Sequence, residues 1–267
     1  MQEIEHDKKE QSFLDHLEVL RWHLIRSALA IFIVTILAFI FPDILFDKII
    51  LAAKNPQFPT YKFFCWLSDT LHFGQALCID QTPFELMNIS MSGQFSTHII
   101  SSLVAGFVVS FPYIFWEIWR FVKPALHSGE IKYSQGIVFY TSLLFIVGVL
   151  FGYYAVSPLS VQFLGNYQVS QQVANQINLN SFISTVTTVC LANGIVFLLP
   201  VLIYFLSKLG LISPSFLRQY RKHALVVLMI LAAIITPPDI FSLILVTFPL
   251  MLLYELSIKV SAKFQDK

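Results

Sequence analysis

The sequence predicts an all-α integral membrane protein: six transmembrane helices in a curved open wall, spans five and six short, both termini cytoplasmic. Three observations predict it. The 267-residue chain is 56% hydrophobic and 12% charged, with a mean hydropathy of +0.71, a composition of polytopic membrane proteins and not of soluble globules. Its charged residues leave long gaps. Its Lys and Arg residues fall almost entirely on one side of the spans those gaps define.

The gaps set the spans in order. No charged residue lies between Arg26 and Asp43, between Glu85 and Glu117, or between Lys132 and Lys208. The last gap is far longer than the roughly 20 residues that cross a bilayer. It therefore holds two spans and a polar, uncharged loop, read as 157–180. Two further apolar runs flank Thr236-Pro237-Pro238-Asp239. The spans read as 23–46, 95–119, 134–157, 181–207, 222–236 and 240–258. An even number puts both termini on one side. On that side lie 14 of the 17 Lys and Arg residues; only Lys48, Lys54 and Lys62 lie opposite. The positive-inside rule makes the terminal side cytoplasmic.

The domain reading follows: a disordered acidic tail over 1–11, one six-span membrane domain over 12–258, and a cytoplasmic tail over 259–267. The N-terminus lacks a basic region followed by a short apolar core, so no cleaved signal peptide is expected. The first outer loop carries Pro56, Pro59 and Pro83 with several aromatics. It reads as a partly helical cap without strand pattern. Pro112, Pro200 and Pro249 fall inside spans, where each removes a backbone donor and invites a kink. Curved helices, and hence a concave wall, follow. The apolar runs of spans five and six, about His223–Ile235 and Ile240–Tyr254, hold about 14 residues each and reach roughly 21 Å against about 30 Å of hydrocarbon.

Net charge is +1, so nothing points to nucleic acid. No Cys-x-x-Cys, no His/Cys metal spacing and no nucleophile–base pair appears. No catalytic residue, metal or cofactor is expected. Cys65 and Cys78 share the first outer loop, and their pairing is left open; Cys190 reads as an apolar packing residue. A small-solute transporter or channel is the competing class. It calls for polar groups at mid-span, which the chain largely lacks, and no inverted repeat of spans is seen.

The candidate binding residues lie on the terminal side. Ser12 to Arg21 reads as a short amphipathic helix before span one. Phe13, Leu17, Leu20 and Leu24 form its apolar stripe, with His16 beside it and Glu18 and Arg21 three apart. Either it is an interfacial anchor with a solvated face, or its carboxylates meet a cation. Glu130 is a second acid on the same side; two carboxylates there suit a pair of guanidinium groups. Glu117, near the inner end of span two, is a functional candidate by virtue of its depth, with Arg120 as its expected partner. Glu255 reads the same way in span six.

These residues converge on a family. The chain resembles TatC, the polytopic receptor subunit of the twin-arginine protein translocase, from Phe13 to about Ile258. The resemblance is carried by Phe13-Leu14-Asp15-His16-Leu17-Glu18-Val19-Leu20-Arg21, Pro83-Phe84-Glu85 and Phe111-Pro112. Trp119, Phe121, Pro124-Ala125-Leu126, Glu130, Gly194-Ile195-Val196-Phe197, Pro200 and Thr236-Pro237-Pro238-Asp239-Ile240-Phe241-Ser242 complete it. It implies a protein of the cytoplasmic (inner) membrane that hydrolyses nothing. Such a protein binds twin-arginine signal peptides of folded precursors and moves that cargo using the proton-motive force. TatA-type single-span subunits are implied partners, within a homo-oligomeric complex in the lipid bilayer; a TatB-type subunit is left open. The implied signal-peptide residues are Glu130, Glu18, Arg21, His16, Phe121, Pro124 and Leu126. Pro83, Glu85, Glu117, Pro200, Thr236, Pro237 and Asp239 are implied to dock partners or hold structure. Three positions depart from the family pattern. Val19 stands where a glutamate is usual, Leu198 where Glu or Gln is frequent, and Leu243 where Gln is common.

Overall fold

The computed structural model describes residues 13–70, 78, 84–123, 131–170, 172 and 175–265, and the side chains among them except those of 13–16, 67, 131–135 and 263–265. Helix α1 runs unbroken from Phe13 to Ile40. The amphipathic segment and the first span are thus one helix and not two, because no Gly or Pro interrupts Phe13–Ile40. Leu17 and Leu24 of the expected apolar stripe are exposed.

Past Phe41 the chain widens into π-helix over Asp43–Ile50 and closes with a 3-10 turn over Leu51–Lys54. Helix α2 (Pro59–Thr70) caps this region. Tyr61 anchors the cap: its buried hydroxyl lies 3.0 Å from the Ala53 carbonyl and 3.1 Å from that of Pro158. Burial pushes its phenol well above the usual tyrosine range. Cys65 and Cys78 are joined by a disulfide that closes the loop beyond α2.

Strand β1 (Glu85–Met87) pairs in parallel with β2 (Gln176–Asn178), Glu85 opposite Gln176. Neither strand is foreseen in the sequence, because three residues are too few for an alternating pattern. The pair ties together two loops far apart in the chain. Phe84, just before β1, is buried beneath Lys54 and fits against Gly165, where any Cβ would collide with its ring.

Helix α3 (Gly93–Val122) carries Pro112 in its interior. Helix α4 (Ile131–Phe151) continues through π-helix at Gly152–Val156 into α5 (Ser157–Asn166). The expected loop from 157 is therefore helical for its first ten residues; Pro158 occupies the first turn, where its missing N–H costs nothing. Span four is interrupted at Phe197 and Leu198, which keep right-handed helical backbone angles, as a proline kink does. Helix α6 (Leu179–Val196) ends at Phe197 and α7 (Leu199–Lys208) begins with Pro200 in its first turn. Helices α8 (Pro214–Gln219), α9 (Arg221–Ile235) and α10 (Ile240–Gln265) complete the chain.

Among the described residues, five helical segments are long and apolar enough to cross a membrane: Leu17–Ile40, Gly93–Val122, Gly136–Asn166, Leu179–Lys208 and Ile240–Ala262. Helix α9, with 15 residues, falls short of that length, as the sequence predicts for span five. Span six does not: α10 has 26 residues, about 39 Å at 1.5 Å each. The sequence reading ends the span near its charged residues, but Glu and Lys are good helix formers and let α10 continue past Glu255 and Lys259 through what was assigned to a tail.

The helices pack side by side, with α3, α4 and α6 in mutual contact. α1 lies on α3, α3 on α4 and α6, α6 on α4, and α10 on α7 and α9. One buried cluster unites Val189, Phe197, Ile203, Leu228, Val246 and Leu250. A second, toward the strand pair, unites Leu45, Phe84, Val161, Phe182 and Val186. Close helix approach depends on small residues, as is usual in membranes. At Gly148 a Cβ would lie 2.7 Å from the Asn193 carbonyl oxygen; at Gly152 it would lie 2.9 Å from the Cys190 Cα.

Candidate functional site

The polar site that the structure assembles lies where α1 meets the C-terminal third of α3. A carboxylate at such depth is tolerated only when both oxygens find donors. Glu117 is 1% exposed and meets that condition. His23 Nδ1 donates to Oε2, and the Tyr113 hydroxyl donates to Oε1 at 2.9 Å. Tyr113 stands four residues before Glu117 on α3, one turn away, so local helix geometry supplies this donor. His23 comes from α1, so the same carboxylate also fastens two spans together. Phe121 meets the His23 ring edge-on at a centroid distance of 6.1 Å.

Below this pair the α1–α3 contact is built from small polar residues. Ser27, one turn after His23, is buried and donates to the His23 carbonyl at 2.9 Å. Ser110 of α3 donates across to the Ala30 carbonyl at 3.2 Å. These contacts hold the His23 face of α1 against α3.

The expected partner of Glu117 is corrected by this geometry. Arg120 does not meet it; its guanidinium lies over the Trp116 ring, 5.6 Å from the centroid. Residues 117 and 120 are three apart and read as neighbours on α3, but Glu117 is taken by α1 and Arg120 is exposed. Sequence reasoning missed His23 and Tyr113. Tyr113 was legible from its one-turn spacing to Glu117; His23 was not, because nothing in one sequence aligns two helices.

Of the other predicted residues, Glu18, Val19 and Arg21 are exposed near the start of α1. Val19, four residues before His23, is about 40° from it around the helix, whereas Glu18 is about 140° away. The His16 side chain, Pro83, Pro124, Leu126 and Glu130 lie outside the described residues. Glu85 is exposed on β1.

At the opposite end of the spans, the α9–α10 junction is a built turn. The Thr236 hydroxyl donates to the Ala232 carbonyl at 2.8 Å and closes α9. Asp239 Oδ1 accepts from the Ser242 amide at 2.6 Å, which caps α10. Both are 5% exposed, and Pro237 lies between them. Ser242 also bonds Ser160 at 2.9 Å, fixing the junction to α5. Glu255 pairs with Arg221 of α9 at 2.8 Å; both are partly exposed. Among the described residues no His, Cys, Asp and Glu cluster could hold a metal ion.

A set of long apolar helices, two of them tied by the buried Glu117 carboxylate, defines a multi-pass membrane protein. Residues 15–249 match the model of the TatC family, Sec-independent protein translocase protein. The chain belongs to this family, and is thus a component of the twin-arginine protein translocase. It is 42% identical over 97% of both chains to the Sec-independent protein translocase protein TatC of Blattabacterium sp. subsp. Periplaneta americana (strain BPLAN). It is 40% identical to that of Helicobacter pylori (strain ATCC 700392 / 26695), covering 68% of this chain and 69% of the relative. The fold matches a crystal structure of the twin-arginine translocase receptor TatC with a TM-score of 0.69. The identity is 32%, with 92% of this chain and 99% of that one covered.

Proposed function

We propose that this subunit is the signal-peptide receptor of its translocase. It binds the arginine pair of a folded precursor's signal peptide at the cytoplasmic face of the inner membrane. Both termini and all six helical spans, α9 included, are then oriented by the 14-to-3 bias of basic residues. The Cys65–Cys78 disulfide on the opposite side supports this orientation, since that side is the oxidising one.

Glu130 is the principal acid of the site, with Glu18 as a rotated substitute for the carboxylate that Val19 lacks. Arg21, His16, Phe121, Pro124 and Leu126 frame it. One observation carries the reading. His23 of α1 meets Glu117 and Phe121 of α3, so the segment leading to Glu130 starts beside the turn of α1 that follows Glu18 and Arg21. Glu117 positions the two helices and binds no peptide itself. Thr236, Pro237 and Asp239 shape the α9–α10 turn; Pro83, Glu85 and Pro200 serve the outer cap and the span-four break. TatA-type subunits, and a TatB-type subunit where one exists, assemble with copies of this chain. The proton-motive force drives passage of the cargo.

The test is site-specific crosslinking of a twin-arginine signal peptide to the protein in membranes. Glu130→Ala abolishes the crosslink; an unchanged crosslink removes Glu130 from the site.

A further inference from the structure

A groove of about 620 Å³ runs between α3 and α4. It extends from Pro112 to Lys123, about 16 Å along α3, from the end of a span toward its middle. Trp116 and Phe139, 44% and 64% exposed, form apolar walls open to the surroundings. Arg120 and Lys123, one turn apart, stand at the mouth, and no carboxylate is among the groove's described lining residues.

Two polar groups of the lining have no partner. Trp119 Nε1 and Ser142 Oγ make no hydrogen bond, although Trp119 is 5% and Ser142 8% exposed. Inside a bilayer no water offsets such a loss, so unpaired donors at this depth call for an acceptor. The required occupant has an anionic end for the two cations, acceptors just below it, and an apolar chain for the aromatic walls.

We propose that this groove binds a phospholipid with an anionic headgroup. Its phosphate lies at Arg120 and Lys123. Trp119 Nε1 and Ser142 Oγ, both covered in this structure, turn toward its ester carbonyl when the lipid enters, and one acyl chain lies between Trp116 and Phe139. Basic pockets between spans at a membrane surface suit such headgroups. A twin-arginine peptide is disfavoured here, since it would bring cations toward Arg120 and Lys123.

The experiment uses the full chain in detergent, depleted of lipid, and reads lipid retention by native mass spectrometry. Phosphatidylglycerol and phosphatidylcholine of equal chain length compete, with inorganic phosphate as a control. Phosphatidylglycerol is retained in preference by about fivefold per cation, since each contact near the surface is worth about 1 kcal/mol. Arg120→Gln with Lys123→Gln removes the preference. Lys123→Gln alone reduces it, and Trp119→Phe, which keeps the ring and removes the donor, weakens retention of both lipids. Equal retention of the two lipids by the unaltered protein overturns the proposal, as does displacement of the lipid by phosphate alone. A photoreactive side chain placed at Phe139 in membranes gives a lipid adduct. A signal-peptide adduct in its place assigns the groove to the peptide and overturns the lipid site.

Discussion

His23 and Glu117 stand 94 positions apart in the chain and meet through Nδ1 and Oε2 where α1 crosses the last turns of α3. The contact converts two neighbouring spans into one rigid unit at the end where the peptide site is proposed. Its components differ in exposure, 11% for the His23 side chain and 1% for that of Glu117. Losing either partner is therefore not equivalent. A carboxylate left buried without His23 is the costlier defect, because it keeps only the Tyr113 donor.

The first prediction follows from that asymmetry. His23→Ala destabilises the protein by about 3–5 kcal/mol, the cost of stranding a buried charge, and Glu117→Ala by less. His23→Leu combined with Glu117→Leu recovers part of the loss, since apolar side chains replace a buried pair at little cost. Thermal unfolding in detergent measures all three. If the double variant loses as much as the two single losses added together, the contact does not couple α1 to α3.

Val19 carries the second prediction. It lies one turn before His23 and about 40° from it around α1, whereas Glu18 points about 140° away. A carboxylate at position 19 would extend from the turn that precedes the His23–Glu117 contact. Val19→Glu tightens signal-peptide binding, read as a lower dissociation constant in a peptide titration. Flat or weaker binding means that Glu18 already serves or that the peptide binds elsewhere.

Much of this fold was legible because composition and charge gaps report burial in lipid directly. Four of the five long spans and the short α9 follow from runs without charge, and the Thr236–Asp239 turn from its prolines. What was not legible depends on contacts between distant segments. The β1–β2 pair has too few residues for a period, and its backbone bonds come from the other outer loop. The length of α10 was hidden because charged residues end a hydropathy run but do not end a helix. In the candidate site, Glu117 stood out by its depth, while nothing in the sequence marked His23 until α1 and α3 were brought together.

The third prediction concerns the packing of the π-helical segment Gly152–Val156 against α6. A Cβ at Gly152 would come within 2.9 Å of the Cys190 Cα and 3.0 Å of the Val189 carbonyl oxygen. Both are backbone atoms, so no side chain can swing aside. Gly152→Val lowers stability by about 1–3 kcal/mol, as overpacking does. Gly136→Val, whose Cβ would meet only the Tyr140 ring at 3.4 Å, leaves stability within about 0.5 kcal/mol. Comparing the two melting temperatures checks the claim; equal losses would show that the close approach is not what Gly152 provides.

The fourth prediction separates a cap from a charge at Asp239. Its Oδ1 accepts the Ser242 amide at the start of α10, while its Oδ2 is buried with no partner. A buried carboxylate oxygen without a donor is destabilising, and a side-chain amide offers the Ser242 amide the same acceptor. Asp239→Asn keeps the acceptor at the helix N-terminus and leaves the melting temperature unchanged or raised. Asp239→Ala removes the cap and costs about 1 kcal/mol. Transport of a twin-arginine precursor in vesicles then discriminates the roles. If the residue only caps α10, transport follows stability, and the Asn variant is active. If the Asn variant melts normally and fails to transport, the unpaired Oδ2 is a contact awaiting a donor from a partner subunit, and the capping account of Asp239 is incomplete.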